Sequence, residues 1–250
     1  MKKVKKINAA IIVIGNEILS GRTQDVNVVN ISLWLNRLGV RLDEVRIIPD
    51  IERTIIKTIN EVRRKFTYIF TTGGIGPTHD DITSRSIAKA FNVKYCYHPE
   101  AYNLLENYYT KRKFNIGRRK MAKTPKNASL IHNPSSAAPG FYIKNVYCLP
   151  GVPSILKSML GGLNNKIIGG NKILSKTINL RTVESEISTP LEMTQNRFKN
   201  VEIGSYPFFK QGKVGVSLVI RSNNIKLIEK CVSHIIKFIK KKKIKIITNN

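Results

Sequence analysis

Several things are scarce in this 250-residue chain. Cysteine is one: Cys96, Cys148 and Cys231 are too few and too scattered for a disulfide framework, so they read as free thiols of a reducing compartment. No apolar run reaches the roughly 18 residues that a membrane-spanning helix needs. The chain has no G-x-S-x-G, no H-E-x-x-H and no Lys-Ser/Thr after a glycine-rich loop, which removes support for a serine hydrolase, a zinc protease or a P-loop NTPase. The four histidines show no metal-ligand spacing. Acids are also scarce: 16 Asp and Glu stand against 43 Lys and Arg, a net charge of +27.

That charge suits a polyanion partner. It is spread along the chain, however, with +16 over residues 1–170 and +11 over 171–250, and it accompanies 35 Ile and 23 Asn. Such a skew reads as compositional drift, with nucleic-acid binding non-specific where it occurs. Lys2, Lys3, Lys5 and Lys6 before an apolar stretch imitate a signal peptide. Glu17 follows at once and no small-x-small cleavage site is present, so a buried first strand in a cytoplasmic protein is expected.

What is present is a regular alternation. Ala9–Ile14 is a short continuous apolar run, the pattern of a strand covered on both faces. Val28–Leu38 has apolar residues at helical spacing and ends at Gly39. Val40–Ile48 is extended, Thr54–Phe66 helical and Tyr68–Phe70 a third strand. A glycine-rich loop follows, then a helix over Ile82–Phe91. Strand and helix in this order predict a doubly wound α/β sheet with its ligand edge at the strand C-termini. Pro99–Phe114 and Arg118–Lys123 read as helical and short basic segments. A hairpin is expected around Lys144-Asn145, and a helix over Val152–Leu160. Glycine pairs at 161–162 and 169–170 mark a boundary, dividing the chain into domains 1–170 and 171–250. The second reads β-α-β-β-α, a small α+β domain whose first helix is interrupted at Pro190. Tyr206, Phe208 and Phe209 read as a core edge beside a turn.

Three segments follow predicted strands and are expected to meet at one edge. The Gly73–Asp81 loop offers Gly73, Gly74 and Gly76 for close backbone approach by an anion, after Thr72. Asp80 and Asp81 would repel a phosphate there unless a cation bridged them. Asp50 follows the second strand. Gly15, Glu17, Asp25 and Asn27 follow the first and add a wall. For Asp25, Asn27, Asp50, Asp80 and Asp81 the plain alternative is helix capping.

The strings IGNEILSG, TTGGIGPTHDDIT, NPSSAAPGF and LPGVPSIL occur in that order from Ile14 to Leu156. They resemble the MoaB/Mog (molybdopterin-binding) superfamily and, more closely, the N-terminal region of competence/damage-inducible CinA proteins, a likeness that implies a three-layer α/β fold with a mostly parallel sheet. VESEI and IGSYPFF resemble the KH-like domain that follows in that family. The resemblance implies functional roles for Asp50 and Asp81, which match the acids used by the superfamily's adenylyltransferases. It adds Gly140, Pro150 and Gly151 to the ligand-binding set. It implies hydrolase activity of the metal-dependent ADP-ribose pyrophosphatase type, with Asp50 and Asp81 holding Mg, Mn or Co and Asp80 supporting. A non-catalytic module for molybdopterin or a nucleotide is the second reading, and a basic nucleic-acid-associated protein the third. A small-molecule ligand and a homo-oligomer, dimer or trimer, are expected. Nothing in the chain resembles the deamidase domain that ends many CinA proteins, and the tail has no G-x-x-G backbone clamp.

Overall fold

A computed structural model of the chain describes residues 7–210 and 212–247, so Lys2 to Lys6 lie outside the described residues. The chain forms two units, Met1–Gly170 and Asn171–Asn250.

The first unit runs β1 (Asn8–Ile14), α1 (Asn16–Leu19), α2 (Asn27–Arg37), β2 (Arg41–Ile48), α3 (Glu52–Val62), β3 (Tyr68–Thr72) and α4 (Thr83–Ala90). It continues through β4 (Tyr95–Tyr97), α5 (Pro99–Tyr108), α6 (Ile116–Lys120), β5 (Lys123–Pro125), β6 (Ser129–Ile131), β7 (Gly140–Ile143), β8 (Val146–Leu149) and α7 (Pro153–Leu160). Six strands form one sheet in the order β2-β1-β3-β8-β7-β6. The first four are mutually parallel; β7 runs antiparallel to β8, and β6, antiparallel to β7, runs with the first four again.

Successive side chains of a strand point to opposite faces. On β1, Ala9, Ile11 and Val13 pack with Ile31 and Leu35 of α2 and with Leu156, Met159 and Leu160 of α7. Ala10, Ile12 and Ile14 pack with Ile55, Ile59 and Val62 of α3 and Ile87 of α4. One apolar run therefore serves two cores, and three layers result. A small lobe over α5 and α6 has its own core of Ala101, Leu105, Phe114 and Ala122.

The second unit runs β9 (Leu174–Arg181), α8 (Glu184–Arg197), β10 (Glu202–Lys210), β11 (Lys213–Ser222), α9 (Ile225–Lys241) and β12 (Lys245–Ile247). Its sheet is antiparallel, in the order β10-β11-β9-β12, and β12 is a strand beyond the expected β-α-β-β-α. Pro190 does not interrupt α8. A proline has no N–H for the carbonyl four residues back, and here Lys242 Nζ donates to that carbonyl, Glu186 O, at 2.7 Å. The aromatic trio does not form a core edge as a whole: Tyr206 and Phe209 are 46% and 74% exposed, and Phe208 alone is half-buried. Among the described residues no helix is long and apolar enough to cross a membrane.

Candidate functional site

Strand register builds the site. Ile14 pairs with Ile48, Val13 with Thr72, and Thr72 with Leu149. The four parallel strands therefore end level, and the residues after them emerge on one edge: Gly15 to Glu17, Asp50, Gly73 to Asp81, and Pro150-Gly151. Gly15 N–H donates to Ile48 O and Gly73 N–H to Leu149 O, each at 3.2 Å.

The glycine-rich loop needs its glycines. Gly73 has φ +100°, and a Cβ there would lie 2.1 Å from Ile14 O. Gly74 has φ +68°, and a Cβ would strike Thr83 Oγ1. At Gly76 the missing side chain makes room for the Asp81 carboxylate, whose Oδ2 lies 2.7 Å from the Cβ position.

Two of the acids decline the capping role. The residue preceding α3 is Ile51 and that preceding α4 is Ile82, neither with a side-chain cap. Asp50 Oδ2 instead accepts the N–H of Asn16 at 2.9 Å. Asp81 Oδ2 accepts the N–H of Thr78 at 2.7 Å and the Thr78 hydroxyl. Asp25 does cap, accepting Val28 N–H at 2.9 Å at the start of α2. The Glu17 carboxylate folds back over Gly15, where a Cβ would meet it.

Electrostatics ties these groups together. Partial burial raises the Asp50 carboxyl above its ordinary range, the Asn16 bond opposes this, and Glu17, Asp80 and Asp81 raise it further by like charge. Asp80 is lowered by the Thr78 hydroxyl and its own N–H, with smaller help from His79 and Lys120. Four carboxylates thus share one edge of a strongly basic protein.

Beside them opens a cleft of about 400 Å³, counted to its open mouth, lined among others by Glu17, Asp25, Asn27, Thr72, Gly73 and Gly151. Asn27 is 4% exposed. Its Nδ2 donates to Thr72 Oγ1 at 2.9 Å and Gly151 O at 2.7 Å, while its Oδ1 has no partner. The Thr72 hydroxyl donates to Pro150 O at 3.3 Å. Gly140 stands apart from the lining: a Cβ there would meet Cys148 O and Met159 Cε, so the glycine serves close packing of β7 under α7. Three partners were not legible in the sequence: Thr78, the Asn16 N–H and Lys120, whose Nζ donates to Thr78 O. Thr78 alone had a local signal, three residues before an acid; the others arrive from distant segments.

Comparison with known proteins agrees with this architecture. The model of the family described as "Probable molybdopterin binding domain" matches residues 10–168, and that of the FAD synthase middle domain matches 172–247. The chain belongs to that molybdopterin-binding-domain family, the MoaB/Mog type. It is 31% identical over 197 residues to a protein of Archaeoglobus fulgidus, covering 79% of this chain and 84% of the relative. It is 30% identical over 251 residues to a competence-damage inducible protein of Clostridium botulinum, covering 94% of this chain but 59% of that one. The crystal structure of a CinA protein of unknown function from Thermoplasma acidophilum superposes with a TM-score of 0.60 at 30% identity, covering 64% of this chain and 96% of that one.

Proposed function

We propose that the first unit is a divalent-metal-dependent pyrophosphatase acting on ADP-ribose or a similar AMP-containing dinucleotide. The observation that carries the reading is the convergence of Asp50 with Glu17, Asp80 and Asp81 beside the Gly73–Gly76 bend, with burial and like charge acting on Asp50.

The donor set suits a hard cation. Asp50 and Asp81 each commit Oδ2 to the protein, which leaves Oδ1 for a ligand. Among the described residues no group of three or more His, Cys, Asp or Glu is placed to hold a metal by itself. Mg²⁺ characteristically takes one or two carboxylates and completes its shell with water and substrate phosphate, so Asp50 and Asp81 would hold it jointly with the diphosphate. When bound, the cation neutralises charge on the phosphoryl oxygens. The loop glycines let the backbone approach those oxygens closely, and Asp80 adds negative charge that favours the cation. Hydrolysis adds one water across the P–O–P bridge, giving AMP and ribose 5-phosphate. The test is AMP release from ADP-ribose with Mg²⁺, Mn²⁺ or Co²⁺. No release with any of them, across several dinucleotides, overturns the reading.

The orphan acceptor of Asn27 favours a second reading, a nucleotide or molybdopterin-binding module without turnover. Calorimetry with AMP, ADP-ribose and a pterin, followed by recovery of unchanged ligand, distinguishes it. A homo-oligomer, dimer or trimer, is the assembly expected on this reading, and light scattering measures it.

A further inference from the structure

The second unit carries 16 Lys and Arg but only five acids. On α9 the charge is ordered. Ile228, Cys231, Val232, Ile235 and Ile239 are buried against the sheet. Lys226, Lys230 and Lys237 recur at spacings of four and seven and so share one outward face, with Ser233 between them. That face is one wall of a groove whose other wall is the end of α8, Arg197 and Phe198. The groove is wide and open to solvent, and Glu229 is the one acid lining it. Among the described residues Arg197, Lys226, Lys230 and Lys237 form no ion pair.

Inside the groove sit two flat rings. Phe198 and His234 lie 5.8 Å apart between centroids, tilted by 57°. The Arg197 guanidinium stands 6.0 Å over the Phe198 ring. Leu227 adds a half-buried apolar surface.

We infer that this groove binds single-stranded nucleic acid, its phosphates on the Arg197, Lys226, Lys230 and Lys237 charges and a base against Phe198 and His234. Four unpaired like charges in one concavity repel each other and concentrate a polyanion. Lys226 to Lys237 span about 16 Å of helix, enough for several successive phosphates. A ring recessed between cations can stack only on a base that is free of its own duplex, which selects a single strand. A membrane surface would instead need apolar side chains projecting beyond the charges. The even charge along the sequence hid this cluster, because it forms only when the α9 face and the end of α8 come together.

The test is the anisotropy of a fluorescein-labelled oligothymidylate bound by the whole chain over a salt series. Four phosphate contacts give a slope of log affinity on log salt of about −3. The triple variant K226A/K230A/K237A is expected to bind at least about tenfold more weakly, with a slope near −1. The charge-matched variant K57A/R64A/K65A, at exposed positions of the first unit, is expected to change affinity less than about twofold. Phe198→Ala is expected to weaken the oligonucleotide about fivefold or more and leave inorganic polyphosphate unmoved. Circular dichroism checks that each variant is folded. Equal loss in the two triple variants, equal effects of Phe198→Ala on both probes, or binding to phosphatidylserine vesicles in place of the oligonucleotide overturns the assignment.

Discussion

Asp50 Oδ2 accepts the backbone N–H of Asn16 at 2.9 Å, a bond across 34 residues of chain. It ties the turn after β2 to the turn after β1 and fixes a carboxylate where Glu17, Asp80 and Asp81 repel it. Because the folded pKa of Asp50 is raised, this group's contribution to stability is full below its unfolded value and is lost as pH rises through the folded one. At neutral pH the ionised carboxylate is held against burial and like charge, and a divalent cation relieves both. Added Mg²⁺ is therefore expected to raise Tm at neutral pH and to do so less on the acid side. Asp81→Asn is expected to move the Asp50 titration down, read by carboxyl-carbon NMR. Titration of Asp50 at or below the ordinary aspartate range contradicts the arrangement.

Gly73→Ala places a Cβ 2.1 Å from Ile14 O at φ +100°. A stability loss of at least about 2 kcal/mol is expected from denaturant unfolding of the whole chain. Gly161 offers a contrast, with helical φ −57° and ψ −39° and nothing within 4 Å of its Cβ position. Gly161→Ala is expected to stabilise by about 0.4–1 kcal/mol, through the unfolded chain.

Asn27 holds Thr72 and the turn at Gly151 with one amide nitrogen. Asn27→Ala leaves the Gly151 carbonyl without that donor and is expected to cost about 1–3 kcal/mol. Asn27→Asp cannot donate to Gly151 O either, so a comparable shift in unfolding midpoint is expected. An unchanged midpoint in both variants would remove Asn27 as the strut of the cleft.

The thiols should react in order of burial. Cys148 and Cys231 are buried, and burial pushes their thiols up to about 12 and about 11, whereas Cys96 is half-buried. The thiolate is the reactive form. Native labelling with a disulfide reagent is expected to modify Cys96 first, with all three reacting only after unfolding. Rapid native labelling of Cys148 would place β8 elsewhere than inside the sheet.

The layered fold was legible because AAIIVI at residues 9–14 is apolar at every position, which only a strand covered on both faces requires. That the turn holding Asp50 and the Gly73–Asp81 loop open on one edge followed from the rule that parallel strands joined by right-handed crossovers end on one side of the sheet. Their bonds did not: Asn16 and Thr78 take the oxygens that a capping pattern assigns to helix starts, and that depends on loop conformation. The strands β4, β5 and β6 have three residues each, too short for any period to register. The continuity of α8 through Pro190 depends on Lys242, 56 residues from the carbonyl it satisfies.

In the proposed reaction Asp50 and Asp81 act together on a diphosphate through a shared cation. The most direct measurement is AMP release from ADP-ribose by Asp50→Asn and Asp81→Asn beside the unaltered chain, over a series of Mn²⁺ concentrations. Both asparagines keep an oxygen acceptor, for Asn16 and Thr78 respectively, so the loops should stand. A rate at least about 100-fold lower is expected in each variant, with the cation dependence lost in both. Retention of cation-dependent release by either variant contradicts that shared role.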